Sequence, residues 1–392
     1  MEVEDNNTSK ERILMVHNFY QIGGGEHTVF ANEKRLLSEN GHYLVEYTRD
    51  NAELNKSKIK KLLLPFSSIF SFKTYREVKK IIKREKIDIV HCHNTFPLIS
   101  PSVYYAARKC KVPVVQTIHN FRFLCPNGVF YRDGHTCEDC LNKGLSCSLK
   151  NRCYRNSKIQ TLVVVNMLRF HRLIGTYKKI NYIFLTDFNK TKYDYLLKGQ
   201  AVGEYIKPNF EYIDLPEKVD ECKDIYVFIG RLEENKGIRF LLESWKKIDK
   251  ELFIFGDGTY KNEVEDASVN YPNIHYLGFK PQNEVFEYIA RAKALIFPSE
   301  WYEGFPMSLI EAFALETPVL CADIGNQADI VKSAKAGAVY KLGDKSSFIA
   351  AIDDIEVDFI IYSKNARAAY ETQYTPQANY KQLKSIYEAI RK

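Results

Sequence analysis

The sequence of 392 residues has no uninterrupted apolar run of the ~18 residues that a membrane-crossing helix needs. Its start, MEVEDNNTSKER, is polar and acidic, and a buried-strand pattern follows directly; this is not the order of a secretory signal. There is no short-period repeat and no low-complexity tract. No helix-turn-helix, zinc-finger or RNA-binding-sheet pattern accompanies the basic residues, which argues against nucleic acid as a partner. What is there is ordinary globular material. Apolar residues make up 45% and charged residues 27%, which excludes both a disordered chain and a disulfide-stapled miniature. At about 150 residues per domain, the length predicts two domains. A cytoplasmic protein is expected.

Charge is divided unevenly. Residues 1–208 carry 34 Lys and Arg against 19 Asp and Glu, a net +15, whereas residues 209–392 carry 22 against 30, a net −8. A basic half joined to an acidic half predicts that one half faces an anion. The densest basic stretch, residues 56–86, interleaves nine lysines and two arginines with Leu62, Leu63, Leu64, Phe66, Ile69, Phe70 and Phe72. That mixture suits an anionic membrane surface, with apolar side chains dipping in and lysines meeting lipid head groups. A solvated helix flanking a core loop is the alternative.

Short apolar runs alternate with helical patterns. Strands are predicted at 12–19, 43–48, 88–92, 112–118 and 182–185, then again at 225–229, 251–255, 274–277, 294–297, 319–321 and 339–340. Helices are predicted between them, among others at 25–39, 102–109 and 189–197. Unbroken apolar strands alternating with helices predict parallel sheets covered on both faces, and the restart predicts two doubly wound α/β domains. Residues 205–224, with two prolines and little apolar periodicity, mark the boundary. The division expected is 1–207, 208–375 and a helix in 376–392 that packs back toward the first domain.

In such sheets ligands sit beyond the carboxyl ends of the strands, so the loops there are expected to carry the chemistry. Gly23-Gly24-Gly25-Glu26 follows the first strand and opens a helix; glycines there let anionic oxygens reach backbone N–H groups, although a tight turn explains them too. In FIGRLEENKG, Gly230 and Arg231 through Lys236 and Gly237 follow the first strand of the second half, where two cations suit a diphosphate. Gly256-Asp257-Gly258 ends the next strand and fits either a ligand loop or a plain turn. The strongest signal is EGFPMSLIE. Glu303 lies in a loop, Pro306 suits a helix's first turn, and Glu311 lies two turns along the helix predicted at 307–315. Carboxylates hold sugar hydroxyls, and the N–H groups around Phe305, Pro306, Met307, Ser308 and Leu309 suit a diphosphate.

On these residues the sequence resembles the retaining glycosyltransferases of family 4, with the GT-B fold of two Rossmann-like domains facing a cleft. Glu303 and Glu311, with seven residues between them, match that family's glutamate pair. Arg231 and Lys236 match its phosphate-binding cations, and Gly24 and Gly25 its glycine loop. His119, in VVQTIHN, matches a cleft histidine that contacts the donor sugar. The linker's usual Pro-Asn-Gly stands here as Pro208-Asn209-Phe210. The resemblance implies transfer of a hexose or N-acetylhexosamine from a nucleoside-diphosphate sugar, UDP-sugar preferred, to a lipid-linked or polysaccharide acceptor with retained configuration. By resemblance the donor lies on the second domain, with Gly230 and Asp257 beside it, and the acceptor on the first. Glu311 holds the ribose and Glu303 the sugar. Arg231, Lys236 and the Gly24–Gly25 amides neutralise the departing diphosphate, so no catalytic cofactor is expected. Front-face attack is favoured over a covalent intermediate, with His119 as general base the alternative. A GT-B nucleotide-sugar epimerase and a non-catalytic zinc-containing scaffold are the competing functions.

Five of nine cysteines lie between 125 and 153, in an insert spanning 122–156 that a subset of family 4 sequences resembles. In a cytosolic protein, clustered cysteines favour zinc over disulfides. Cys125, Cys137, Cys140 and Cys153 are the expected tetrahedral ligands of a structural zinc, with Cys147 as the spare. Reduced free thiols are the alternative. Cys92, Cys110, Cys222 and Cys321 sit in or beside apolar runs and are expected in the core.

Overall fold

The computed structural model describes residues 10–21, 25–55, 58–213 and 224–392. Two six-stranded parallel sheets organise the chain. The first contains β1 (Arg12–Phe19), β2 (Tyr43–Asp50), β3 (Ile89–Asn94), β4 (Val114–Ile118), β7 (Asn181–Phe184) and β8 (Gly203–Ile206), in the order β2-β1-β3-β4-β7-β8. Between β4 and β7 an antiparallel hairpin, β5 (Tyr131–Arg132) and β6 (His135–Thr136), forms part of the cysteine-rich insert. The second sheet contains β9 (Ile225–Ile229), β10 (Glu251–Phe255), β11 (Ile274–Gly278), β12 (Ala292–Phe297), β13 (Val319–Ala322) and β14 (Gly337–Tyr340), in the order β11-β10-β9-β12-β13-β14. The expected doubly wound α/β pair is the fold found.

The central strands are buried along their whole length in β3, β4, β7 and β13. Helices cover both faces, so these strands have no solvent side to keep polar. Residues 112 and 113 are not part of β4, and β7 begins at Asn181, one residue earlier than predicted. Local chemistry sets the helix starts. Ser71, Ser157, Thr186 and Asp344 each accept a backbone N–H of the helix they precede.

The last two helices join the halves. The Lys345–Ala369 helix belongs to the second domain and passes through a single π-turn, Tyr370–Tyr374, before Thr375 caps Pro376–Arg391. In that final helix Leu383, Ile386 and Tyr387 pack with Ile13, Met15, Ile89, Val115 and Ile183 of the first sheet and with Phe30 of the Gly25–Glu39 helix. Asn379 fixes the crossing, its Nδ2 donating to the carbonyl of Pro208 at 2.7 Å. A second bridge forms where Asn326 Nδ2 donates to Asn189 Oδ1 and to the Gly304 carbonyl, both at 2.8 Å. Among the described residues, no helix is long and apolar enough to cross a membrane.

Candidate functional site

The carboxyl ends of the two sheets face each other across a cavity of about 230 Å³. From the first domain it is lined by Gly25, Glu26, His119, Asn120, Phe121, Gly128 and Val129, and from the second by Trp301, Tyr302, Glu303, Gly304, Phe305 and Met307. Six residues expected from sequence to form one site (Gly25, His119, Glu303, Gly304, Phe305 and Met307) thus meet across the domain boundary. Gly24 lies outside the described residues. A Cβ at Gly25 would meet nothing within 4 Å, so the space beside this backbone is open. Gly304 is the opposite case: a Cβ there would fall onto the carbonyl oxygen of His119, and only glycine lets the two domains approach so closely.

On the second-domain side Lys236 ends a single helical turn, Glu234–Lys236, and its Nζ lies 2.6 Å from Glu303 Oε1. Ser299 Oγ donates to the same oxygen at 2.5 Å. The turn is held by Gly237, at φ +70°, where any side chain would strike the Pro298 carbonyl. Trp301 presents its ring 5.5 Å from the Lys236 ammonium, a distance at which the ring face attracts a cation. Arg231 is exposed at the end of β9 and does not line the cavity. Gly230 N–H donates to the Phe255 carbonyl at 3.1 Å, and Leu232 N–H to the Asp257 carbonyl at 2.9 Å. A Cβ at Gly256 or Gly258 would hit the backbone of Gly230 or Leu232, so these glycines serve loop-on-loop packing. The Asp257 carboxylate is exposed and accepts the N–H of Gly258 at 2.8 Å, as in a plain turn.

The helix expected at 307–315 spans Met307–Ala314, with Pro306 at its N-cap rather than in its first turn. Leu309 is fully buried, so only its backbone can meet a ligand, while Ser308 is half-buried. Glu311 accepts a hydrogen bond from Gln282 at 2.8 Å. Burial, with Glu211 nearby, pushes its carboxyl up to about 7 despite the Gln282 contact. Glu311 stands apart from the cavity that holds Glu303.

On the first-domain side Glu26, in the first turn of the helix after the glycine loop, brings a second carboxyl to the cavity. Asn120 Nδ2 donates to it at 3.4 Å, and burial raises its carboxyl to about 8, against the pull of the Arg122 guanidinium and Asn120. His119 is held well below the ordinary histidine range by burial, then by His93 and His17. Its Nε2 lies 3.0 Å from His93 Nδ1. The carboxylate of Glu33, buried behind His93, escaped sequence reading, although the alternating histidines of HCHN in β3 were a usable signal.

Among the described residues, Glu33, His91 and His93 place ligand atoms within 4.8 Å of one another, as for a metal ion. Lys207 already neutralises Glu33 at 3.0 Å, and both His91 nitrogens are engaged, by Tyr387 OH and Thr117 Oγ1 at 2.7 Å each. The cluster is a buried ion-pair network. The four expected zinc ligands are not gathered to that spacing. Cys125 instead takes hydrogen bonds from the Cys140 thiol and from the N–H groups of Phe130, Gly128 and Asn127, which together lower its thiol to about 6 against the effect of burial. Cys137 faces Arg132, Nη2 to Sγ 3.8 Å. Cys92 and Cys321 are buried as expected, Cys110 is half-buried, and Cys222 lies outside the described residues.

The family model of glycosyl transferases group 1 matches residues 211–373, and that of glycosyltransferase family 4 matches residues 22–136. A curated relative, the Escherichia coli UDP-Gal:alpha-D-GlcNAc-diphosphoundecaprenol alpha-1,3-galactosyltransferase, is 25% identical over 82% of this chain and 80% of its own. Among solved structures, sucrose-phosphate synthase from Thermosynechococcus elongatus superposes with a TM-score of 0.66 at 14% identity, covering 97% of this chain and 99% of its own. Anabaena HepE, solved in complex with UDP, gives 0.63 at 14% identity, covering 96% of this chain and 100% of its own. Two facing parallel sheets, the glutamate-bearing loop and helix of the second domain and both matching halves lead to one assignment: the chain belongs to the family 4 type of glycosyltransferase, built on the GT-B fold.

Proposed function

We propose that this glycosyltransferase moves a hexose or N-acetylhexosamine from a UDP-sugar to a hydroxyl of a lipid-linked or polysaccharide acceptor, with retention at the anomeric carbon. The observation that carries the reading is the Lys236–Glu303 pair at 2.6 Å on a cavity whose opposite wall holds His119. A fixed cation beside a carboxylate suits a departing diphosphate next to a sugar that gains positive charge. Arg231, at the end of β9, adds a second cation to the diphosphate. The helix start at Met307–Leu309 offers N–H groups, and Glu311 takes the ribose. The HepE complex and the E. coli relative's name, both with uridine diphosphate chemistry, support a UDP donor.

A covalent intermediate needs an ionised carboxylate free to attack. Of the cavity carboxyls, Glu303 is engaged by Lys236 and Ser299, and Glu26 is protonated at neutral pH. Front-face attack follows: the acceptor oxygen bonds to the anomeric carbon on the side that the phosphate leaves, and the phosphate oxygen takes the acceptor's proton. The experiment is turnover of a UDP-sugar panel with an undecaprenyl-diphosphate-linked N-acetylglucosamine acceptor, with product configuration read by NMR. A retained anomeric configuration supports the reading. Inversion, or interconversion of the donor sugar without acceptor, overturns it in favour of another mechanism or an epimerase.

The acceptor side is read as docking on the cytosolic face of a membrane. In the Lys58–Ser67 helix Leu62 and Phe66 are 76% and 74% exposed, and Phe72 at the next helix start is 70% exposed. Leu173, at the end of Lys158–Leu173, is 87% exposed, and His171 of that helix ties it to the same corner through the Ile69 carbonyl at 2.9 Å. Apolar side chains of this size, flanked by Lys61, Lys73 and Arg169, suit insertion among anionic lipids.

For the insert, a structural zinc on Cys125, Cys137, Cys140 and Cys153 remains our reading. The N–H groups aimed at the Cys125 sulfur support it, because they favour its thiolate, and the neighbouring sulfurs of Cys125, Cys137 and Cys153 raise the thiol of Cys140, a mutual repulsion that a shared cation would relieve. Held by these four thiols, a zinc would brace the wall from which Glu138 accepts the Tyr302 hydroxyl at 2.8 Å. Metal analysis of the purified chain is the test: one zinc per chain, lost in Cys137→Ser, supports it, and a zinc-free chain with four titratable thiols overturns it.

A further inference from the structure

His119 is the cavity end of a line of polar groups that runs through the first-domain core. Its Nε2 lies 3.0 Å from His93 Nδ1, and the two rings stack with centroids 5.2 Å apart and planes 16° from parallel. His93 Nε2 lies 3.2 Å from Glu33 Oε1. Glu33 Oε2 lies 3.0 Å from the ammonium of Lys207, which also donates to Asn379 Oδ1 at 2.9 Å in the C-terminal helix. Glu33, His93 and Lys207 are at most 3% exposed. Such a buried charge is tolerated only when it is paired, and here Lys207 pairs it, with His93 within hydrogen-bonding distance.

The order of donors along this line is determined from its charged end. Burial opposes the Glu33 charge, but Lys207, then His91 and His93, hold the carboxyl well below its ordinary range, so it is ionised and only accepts. The nitrogen of His93 that faces it therefore carries a hydrogen. In the neutral ring the other nitrogen, Nδ1, is then bare. With His93 in that neutral form, the hydrogen shared between the two stacked rings comes from His119 Nε2. His119, itself neutral, is left with a bare Nδ1.

We propose that Glu33, acting through His93, is a positioning residue that fixes His119 in the Nε2–H tautomer, so that its Nδ1 accepts a hydrogen bond from a hydroxyl of the sugar bound in the cleft. This deepens the sugar-transfer reading and rests on it for the identity of the ligand, but the tautomer itself does not. A histidine in the other tautomer would present a donor to the same hydroxyl and would lose the bond to His93. Because Lys207 is shared between Glu33 and Asn379, the C-terminal helix helps to hold the state of the cleft histidine.

The test is two-bond 15N–1H correlation NMR on the full chain with 15N-labelled histidine, the His119 signals identified by their loss in His119→Asn. The expected spectrum has both His93 and His119 protonated at Nε2 with bare Nδ1. A His119 or His93 protonated at Nδ1 overturns the proposal. In Glu33→Gln paired with Lys207→Met, which removes both buried charges together, His119 is expected to show a mixture of tautomers. An unchanged, single Nε2–H tautomer in that folded variant overturns the role of Glu33. If the paired variant does not fold, a coupling across the hydrogen bond between His93 Nδ1 and His119 Nε2 in the wild-type chain decides: present, it supports the line; absent, it overturns it. None of these readouts requires donor, acceptor or turnover, so sugar-transfer failure and tautomer failure are distinguishable.

Discussion

Lys236 Nζ and Glu303 Oε1 stand 2.6 Å apart, joining a turn after β9 to the loop after β12. The pair is brought together because β9 and β12 are neighbours in the sheet, so their carboxyl ends open side by side. Replacing either partner leaves the other partly buried and unpaired. Lys236→Ala and Glu303→Gln are each expected to lower kcat by about 10²–10³-fold, the size of effect seen when one stabilising group is removed from a charged transition state. Circular dichroism should show the fold intact. Full turnover in either variant contradicts this assignment.

Gly304 gives a steric prediction. A methyl group at this position meets the His119 carbonyl and must push the domains apart. Overpacking of this kind costs about 1–3 kcal/mol, and a small misplacement of reacting groups costs about 10²-fold in rate. Gly304→Ala should therefore melt lower and lose turnover. Gly25→Ala, with open space beside it, should melt near wild type.

Glu26 sets a pH dependence of stability. Its carboxyl is raised from an ordinary 4.5 to about 8 by burial, so folding takes up a proton between those values. Stability from this group is fully present below pH 4.5 and is lost as the pH climbs through 8. Glu26→Gln removes that loss. Melting curves from pH 5 to pH 9 should fall by several degrees more in the wild-type chain than in the variant. Parallel curves would contradict the protonated state used to exclude Glu26 as a nucleophile.

Much of the architecture was legible because long apolar runs admit few readings. RILMVHNF in β1 has no polar face to give to water, and it lies in the sheet over the full predicted span. The edge strand β8, GEYI, has no such run and was missed, as was the hairpin β5–β6, whose strands are two residues each. The motif loops were legible because glycine and proline punctuate them. The burial of Glu26 was not, since the cavity it faces is closed by residues distant in sequence, from Asn120 to Met307. Nor was the His93–His119 contact, which exists only because β3 and β4 pair in parallel with Cys92 opposite Gln116.

The exposed apolar corner predicts membrane partition. Leu62→Asp, Phe66→Asp and Leu173→Asp alter side chains already in water, so the melting temperature should hold. Burying a side chain of this size is worth about 1.5–3 kcal/mol, so each substitution should reduce binding to phosphatidylglycerol-rich vesicles by about tenfold or more. Cosedimentation measures this. Unchanged binding in the triple variant would contradict the docking face.

The most direct measurement is thermal shift of the wild-type chain and of Lys236→Ala against UDP-, GDP- and ADP-sugars. A donor that binds only the folded state must raise the melting temperature. The account predicts a rise with one UDP-sugar in the wild-type chain and its loss in Lys236→Ala. No rise with any donor, or the same rise in the variant, would contradict a donor site built on Lys236 and Glu303.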